Sequence, residues 1–216
     1  MDIGTVIDVG THAETPELKA AFPDKRHILF EPADDFFPSI HENYKGLDYH
    51  LAPVAVSNTD GFAQLKKISI DGQGVTHSGL VGPTTEGELT QVETVRLDTF
   101  MGRRDDPKPY LVKIDVDGFE PYVINGCDGI WDDIAVVIVE ATQSTFADRL
   151  NLLTARGFTI FDIIDTCYYY DVFSQADLVM ISPAVARLDA LRPWDTRSFA
   201  WSEWVPVASY EGAVQA

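Results

Sequence analysis

Short apolar runs alternate along the chain with segments in which apolar residues recur at helical spacing. The apolar runs predict seven strands, at residues 5–9, 27–30, 49–57, 110–115, 134–140, 158–164 and 178–181. Helical spacing predicts helices at residues 17–22 and 34–44, and a third from Phe146 to a cap at Gly157. This alternation predicts an α/β fold with a doubly wound, mostly parallel seven-stranded sheet.

Two regions depart from the simple alternation. The last two predicted strands are joined only by Cys167–Asp171, which is too short for a crossover helix. We therefore expect them to pair antiparallel and to place one antiparallel strand at the edge of the sheet. Residues 62–96 hold two β-rich pieces around a Gly-rich loop at 71–79, which predicts a β-rich insertion with a functional or mobile loop.

Composition and charge restrict the partners that the chain can have. The formal net charge is −18, and the basic clusters are short pairs, such as those at 66–67 and 103–104. Because nucleic-acid binders neutralise phosphates with basic patches, we expect no nucleic-acid partner. The longest apolar run, Ile134–Val139, is much shorter than the roughly 20 residues of a membrane span. The first residues show no secretion-signal pattern, so we expect a cytoplasmic protein without a membrane partner. In that reducing compartment we expect Cys127 and Cys167 to be free thiols.

The residues that end the predicted parallel strands suggest a binding site. Gly10 follows the first strand, Glu31 the second, and Asp115 and Glu140 end the fourth and fifth. Ligands of such sheets bind beyond the carboxyl ends of the strands. A glycine there lets the backbone approach a ligand closely, and a carboxylate about 20 residues later can accept both hydroxyls of a ribose. The diphosphate motif G-x-G-x-x-G is absent, so S-adenosylmethionine fits better than a dinucleotide.

Four blocks in order then resemble the FkbM family of methyltransferases. They are Val6–Gly10, Phe30–Pro32, Val95–Phe100 and Lys113–Glu120, the last continuing into Val123–Gly126. The similarity covers about residues 4–182 and implies a Rossmann-like class I methyltransferase domain at 1–182. Residues 183–216 are then an aromatic-rich tail with Trp194, Phe199, Trp201, Trp204 and Tyr210.

The resemblance also implies roles for individual residues. It places cofactor contacts at Asp8, Gly10, Thr11 and Glu31, and an adenine contact at Ala55, Val56 and Ser57. It places Asp115 beside the transferred methyl group or the acceptor. One position departs from the family, because a second glycine usual four residues after the first is Glu14 here. A glutamate there either points to solvent or weakens the cofactor site.

Methylation of a hydroxyl needs a general base, and the sequence offers several candidates. Asp115 is best placed by topology, and Glu140 and, more weakly, Glu120 are alternatives. His77 lies in the insertion, which could act as a lid, and histidine titrates near neutral pH. Asp115 and Glu140 could instead hold a divalent metal, but no third ligand is evident and we predict no metal site.

The resemblance suggests O-methylation of a sugar or secondary metabolite by an enzyme using S-adenosylmethionine. The acceptor is then a small molecule or glycan, and a homodimer is possible through the aromatic tail. Two rival interpretations stay open. One is a nicotinamide-dependent oxidoreductase, and the other is a non-catalytic binding module with a degenerate cofactor site.

Overall fold

Eleven strands and six α-helices make up the part of the chain that the computed structural model describes, residues 2–69, 75, 77–82, 85, 89–188 and 200–203. The strands are β1 (Thr5–Val9), β2 (Arg26–Phe30), β3 (Tyr49–Ala52), β4 (Ala55–Ser57), β5 (Gly61–Ile68), β6 (His77–Val81), β7 (Leu89–Arg96), β8 (Tyr110–Ile114), β9 (Ile134–Thr142), β10 (Thr159–Tyr169) and β11 (Val172–Ile181). The helices are α1 (Pro16–Ala21), α2 (Phe37–Asn43), α3 (Leu97–Met101), α4 (Glu120–Asn125), α5 (Phe146–Thr154) and α6 (Pro183–Ala186). The short helices α3 and α4 were not predicted from the sequence pattern.

Seven strands form the main sheet in the order β3-β2-β1-β8-β9-β11-β10. The pairs among β3, β2, β1, β8 and β9 are all parallel, which confirms the predicted mostly parallel sheet. Strand order reverses beside β1, because the chain moves outward from β1 to β3 and then returns to β8. The carboxyl ends of β1, β2 and β8 therefore meet at the point where a doubly wound sheet binds its ligand.

The last two strands pair antiparallel, which confirms the prediction, but the strand that runs against all the others is second from the edge of the sheet. It is β11, which pairs antiparallel with β9 on one side and with β10 on the other, so that β10 is the edge strand. Burial follows this order. β11 carries Ala176, Leu178 and Met180, which are all buried, whereas most residues of the edge strand β10 are exposed.

The predicted third strand is in fact two strands that belong to different sheets. β3 ends at Ala52 in the main sheet, and β4 begins at Ala55 in a second sheet of order β4-β7-β5-β6. Pro53 lies between them and has no N–H to continue the β-ladder. The predicted β-rich insertion is this second sheet, and β6 occupies part of the stretch that was predicted as loop.

The apolar core extends past the predicted domain boundary at residue 182. Ser182 caps α6, and Val185 in this helix packs with Ile3, Leu18 and Ile181. Of the tail aromatics, Trp201 lies in a short 3-10 helix and is exposed, and the others lie outside the described residues. Within the described ranges, no helix combines the length and the apolar character needed to cross a membrane.

Candidate functional site

A cavity of about 580 Å³ opens at the carboxyl ends of β1, β2, β8 and β9. Its walls include the loop after β1, residues of β6 in the second sheet, and residues of the β10–β11 hairpin. Small-molecule sites typically have volumes of about 300–1,000 Å³. The cavity therefore has the position and the size of a ligand site in a doubly wound sheet.

Glu31 lies in this cavity with its carboxylate fixed by the backbone. The side chain is almost fully buried; the N–H of Ala33 donates to Oε1 at 2.8 Å and the N–H of His12 donates to Oε2 at 2.9 Å. Burial raises the pKa of Glu31 to about 7, although the two backbone donors oppose the rise. Each oxygen keeps a further lone pair, so the carboxylate can also accept two hydroxyl groups from a ligand.

Gly10 and Thr11 begin the loop that faces Glu31 across the end of β2. The N–H groups of both donate to the carbonyl of Phe30, at 3.0 and 3.2 Å. Gly10 has φ of +88°, and a Cβ at this position would lie 1.8 Å from the carbonyl oxygen of Asp115. The loop thus needs glycine both for its backbone conformation and for the close approach of β1 to the end of β8.

Asp8 lies behind the cavity and does not line it. Its side chain is fully buried, and Oδ2 accepts a hydrogen bond of 2.8 Å from the hydroxyl of Thr15. The backbone N–H of Thr15 donates to the Tyr44 hydroxyl at 3.3 Å, and burial raises the pKa of Asp8. The structure therefore replaces the predicted cofactor contact of Asp8 with a supporting role, because Asp8 holds the end of the Gly10–Thr15 loop.

The second sheet supplies an apolar wall. Ala55 and Val56 line the cavity together with Phe30, Leu65, Leu80, Val54 and Phe119. Ser57 does not, since its carbonyl packs against Gly126, where a Cβ would lie 2.2 Å from that oxygen. Two of the three residues predicted to contact adenine thus line the cavity, and their contact with adenine stays a prediction.

The opposite end of the cavity is rich in carboxylates. Asp115 pairs with Lys113, Nζ to Oδ2 at 2.7 Å, and Glu140 accepts a 2.6 Å hydrogen bond from the Gln175 side chain. Asp177 stands opposite Glu140 on the neighbouring strand. Desolvation, followed by the charge of Asp115, raises the pKa of Glu140 to about 7. Desolvation likewise raises the pKa of Asp177 to about 6, against the attraction of Lys113.

The structure excludes Glu120 as a candidate for the general base that methylation of a hydroxyl needs. It is 1% exposed, and its Oε2 lies 2.5 Å from Nη2 of the buried Arg149. Its other oxygen accepts from the N–H of Gly118 at 2.9 Å and from that of Val116 at 3.3 Å. Glu120 therefore fixes the loop that follows β8, and this loop carries Asp115.

Two further predicted residues have different outcomes. The backbone of His77 pairs with Ile68 in the second sheet, but its side chain lies outside the described residues, so its predicted role stays a prediction. Glu14 lines the cavity and forms an ion pair with Lys19 at 2.5 Å. The charge of Glu14 is thus compensated by Lys19 of helix α1, which follows the loop.

Several residues that shape the site were not predicted. Lys113 is two positions before Asp115 on one strand, and this spacing puts both side chains on the same face, so the ion pair could have been found. Gln175 and Asp177 join the site only through the pairing of β11 with β9, which sequence spacing does not reveal. Within the part of the chain described, no group of three or more His, Cys, Asp or Glu side chains is arranged to hold a metal ion.

Comparison with known protein families assigns the chain to one of them. Residues 2–160 match the model of the methyltransferase FkbM domain. The chain belongs to the FkbM methyltransferase family. This match covers most of the chain and includes β1, β2, β8 and β9, whose carboxyl ends form the cavity. The match ends at residue 160 and so leaves out nearly all of the β10–β11 hairpin. The methyl donor of this family is S-adenosylmethionine.

A curated relative of this FkbM protein is the hexuronic acid methyltransferase AglP of Haloferax volcanii. The two are 30% identical over 141 residues, which are 64% of this chain and 54% of the relative. The chain thus spans about half the length of the curated relative that it matches.

Solved structures of similar fold include an rRNA methylase from Streptococcus thermophilus. It has a TM-score of 0.49 and 8% identity, with 84% of this chain and 88% of the other covered. Another is TrmK of M. capricolum in complex with S-adenosylhomocysteine, with a TM-score of 0.47, 10% identity, and 84% and 63% of the two chains covered. These values are too low to support a conclusion about function.

The residues of the FkbM site fit S-adenosylmethionine. The described lining holds a single lysine and eight carboxylates: Glu14, Glu17, Glu31, Asp115, Asp117, Glu140, Asp165 and Asp177. Such a lining favours a cation such as the sulfonium and opposes the two phosphates of a dinucleotide. Glu31 suits a ribose, and the apolar wall from the second sheet suits an adenine ring.

Proposed function

We propose that the protein transfers a methyl group from S-adenosylmethionine to a hydroxyl of a sugar or a similar small molecule. The observation that carries this proposal is the position of Glu31. Its buried carboxylate, fixed by two backbone N–H groups, lies in the same cavity as Asp115 and Glu140. The relative AglP acts on a hexuronic acid, as its name states, which supports a sugar acceptor.

Gly10, Glu31 and the second sheet would hold the cofactor in their half of the cavity. Glu31 would accept the two ribose hydroxyls, and the apolar residues around Ala55 and Val56 would cover the adenine. When bound, S-adenosylmethionine supplies an electrophilic methyl group on a sulfonium. The carboxylates of the other half hold the acceptor close to that group, and such positioning is a large part of catalysis in a displacement reaction.

Glu140 is the general base in this proposal. A base works best when its pKa lies near the working pH, and the pKa of Glu140 is about 7. Gln175 donates to Oε1, which orients the carboxyl group and leaves Oε2 to accept the hydroxyl proton. Asp115 is already paired with Lys113, so its role is to position the acceptor and not to remove its proton.

Binding of S-adenosylhomocysteine tests the cofactor site. We expect calorimetry to show binding by the wild type and none for NAD. The variant Glu31→Gln places an amide NH₂ against a backbone N–H and removes the charge, so its affinity should fall by about ten- to a hundredfold. Glu42→Gln, on an exposed position of α2 outside the cavity, is the matched control and should bind as the wild type does. NAD binding, or unchanged affinity in Glu31→Gln, would contradict the proposal.

A second experiment tests the base. Acceptors are first sought among hexose and hexuronic acid glycosides by release of S-adenosylhomocysteine. Turnover by the wild type should rise with pH through about 7, the pKa of Glu140. Glu140→Gln keeps an oxygen for Gln175 but cannot take a proton, so turnover should fall by about 10²–10⁴ while cofactor affinity is unchanged. A Glu140→Gln variant that keeps the wild-type pH profile would show that Glu140 is not the base.

The cytoplasmic location stays a prediction.

A further inference from the structure

The β10–β11 hairpin extends beyond the sheet on the side where the cavity opens. β11 pairs with β9 only from Gln175 to Ile181, whereas β10 and β11 stay paired as far as Tyr169 and Val172. Residues 168–173 therefore project past the carboxyl end of β9, beyond Gln175, which donates to the base candidate Glu140. We call residues 165–175 the distal hairpin.

The distal hairpin contributes directly to the cavity. Asp165, Cys167 and Gln175 all line it. The register of β10 shifts between Ile164 and Cys167, and Asp165 has φ of +51°. A bulge of this kind re-aims side chains, and bulges are common next to active sites. Here the bulge is the reason that a residue of an edge strand reaches a site formed by the centre of the sheet.

The tip of the distal hairpin carries three solvent-exposed tyrosines. Tyr168, Tyr169 and Tyr170 are 66%, 70% and 84% exposed, and they follow Cys167 of the cavity wall without a break. At about 3.3 Å per residue, Tyr169 lies within about 7 Å of Cys167 along the strand. Consecutive exposed aromatic rings beside a cavity are unusual on a protein surface and typically mark an interaction site.

This aromatic tip is anchored to the core. Tyr168 packs edge-on against Phe173, with ring centroids 6.2 Å apart, and Phe173 packs in the same way against Phe146 at 6.1 Å. Phe146 begins α5 and contacts the main apolar cluster. The tip turn itself has Tyr170 and Asp171 at φ of +50° and +60°, an arrangement that glycine and asparagine usually adopt. A bulky aromatic ring is thus kept at a position where it costs stability.

The charges around the hairpin restrict what can bind there. Asp115, Asp117, Glu140, Asp165 and Asp177 surround this end of the cavity, and the one lysine among the described lining residues, Lys113, is already paired with Asp115. An anionic acceptor would meet like charges here, whereas a neutral sugar finds acceptors for its hydroxyl protons. The apolar face of a sugar ring matches an exposed tyrosine, which offers a large rigid contact area at low entropic cost.

We propose that the distal hairpin is an acceptor-binding arm, which holds an uncharged oligosaccharide with one ring on the tyrosines and the next beside Glu140. This inference rests on the proposed function, and it distinguishes the acceptor from the hexuronic acid of the relative AglP. The carboxylates bind hydroxyls of the ring that is methylated, and the tyrosines bind the ring adjacent to it.

An array of immobilised oligosaccharides tests this proposal. It carries neutral hexose, amino-sugar and hexuronic acid members, and the full-length protein is applied with saturating S-adenosylhomocysteine. We expect binding to neutral chains of two or more rings and not to chains with a carboxylate at every ring. The double variant Tyr168→Ala/Tyr169→Ala should lose about tenfold in glycan affinity, since it removes two ring contacts.

Two controls make the outcome decisive. Phe62→Ala removes a ring that is 72% exposed on the second sheet and does not line the cavity, so it should bind glycans as the wild type does. Calorimetry with S-adenosylhomocysteine and a melting curve on each variant show whether the cofactor site and the fold are intact. Preference for acidic chains, equal binding by the tyrosine variant, or no glycan binding by a protein that binds S-adenosylhomocysteine would each overturn the proposal. Loss of S-adenosylhomocysteine binding by the wild type would instead contradict the proposed function.

Discussion

Two glycines with almost the same φ angle allow the geometry of the cavity floor to be tested. Gly10 has φ of +88° at the end of β1, and Gly46 has φ of +89° in the turn after α2. A Cβ on Gly46 would have no atom within 4 Å, whereas a Cβ on Gly10 would lie 1.8 Å from the Asp115 carbonyl oxygen. Substitution by alanine therefore introduces the same backbone strain at both positions and a steric clash at only one.

The expected magnitudes follow from these contacts. Alanine in the left-handed region costs about 1 kcal/mol, which is the whole effect expected for Gly46→Ala. At Gly10 the clash forces the ends of β1 and β8 apart and strains the hydrogen bond of 3.0 Å from the Asp115 N–H to the Val9 carbonyl. Loss of that bond and of the surrounding packing adds about 2 kcal/mol, for a total of about 3 kcal/mol. At about 3 °C per kcal/mol, melting temperatures should fall by about 3 °C and about 9 °C.

Thermal unfolding and calorimetry with S-adenosylhomocysteine measure both consequences. Gly10→Ala moves Asp115 and the loop that faces Glu31, so its affinity for S-adenosylhomocysteine should fall at least about tenfold, a change of about 1.4 kcal/mol. Gly46→Ala should bind as the wild type does. Equal destabilisation of the two variants, or an unchanged affinity in Gly10→Ala, would refute the view that close contact of β1 with β8 forms the floor of the site.

Two further predictions concern buried carboxyl groups. Because burial raises the pKa of Glu31 from 4.5 to about 7, the folded state binds its proton more tightly than the unfolded state does. The free energy of unfolding of the ligand-free protein should therefore decrease as pH rises from about 5 to about 7, by up to about 3 kcal/mol from this group, and then level off. Urea titrations at several pH values measure this decrease, and Glu31→Gln should reduce it; an increase of stability over this range would contradict the assignment. Arg149→Met leaves the Glu120 carboxylate buried without its partner, so urea unfolding should show a loss of about 3–5 kcal/mol, whereas Lys25→Met, which breaks an exposed ion pair, should change little.

The parallel part of the fold was predictable because local pattern and tertiary position agree there. β1 has the predicted bounds, and β2, β8 and β9 are within two residues of theirs. Each of these strands is an apolar run that is buried in the centre of the sheet, so its apolar sequence directly indicates its buried position. The acidic residues at their ends mark where the strands leave the core, and this is why Glu31, Asp115 and Glu140 could be placed in one site.

The details that were wrong depend on pairing that no local pattern records. The sequence pattern predicts a strand at both β10 and β11. Which of the two lies inside the sheet depends on how much of its surface the rest of the molecule buries. Likewise, nothing in residues 49–57 except Pro53 shows that the chain passes from one sheet to another. The second sheet in turn forms part of the apolar wall of the cavity, which Ala55 and Val56 line while Ser57 does not.

Carboxylates of the same sequence type have different positions relative to the cavity, and burial alone does not separate them, because Asp8, Glu31 and Glu120 are all at most 3% exposed. Asp8 and Glu120 stand in the family blocks beside Gly10 and Asp115, yet each is buried and bonded within the protein, Asp8 to Thr15 and Glu120 to Arg149. Glu31 and Glu140 keep free lone pairs toward the cavity, and their pKa values near 7 arise because the cavity withdraws them from water without supplying a cation. Spacing along the chain therefore locates the site, whereas the hydrogen-bond partners decide which carboxylates build it and which act in it. By this criterion Glu140 fits the proposed role of general base, whereas Asp115, which is paired with Lys113, fits the role of positioning the acceptor.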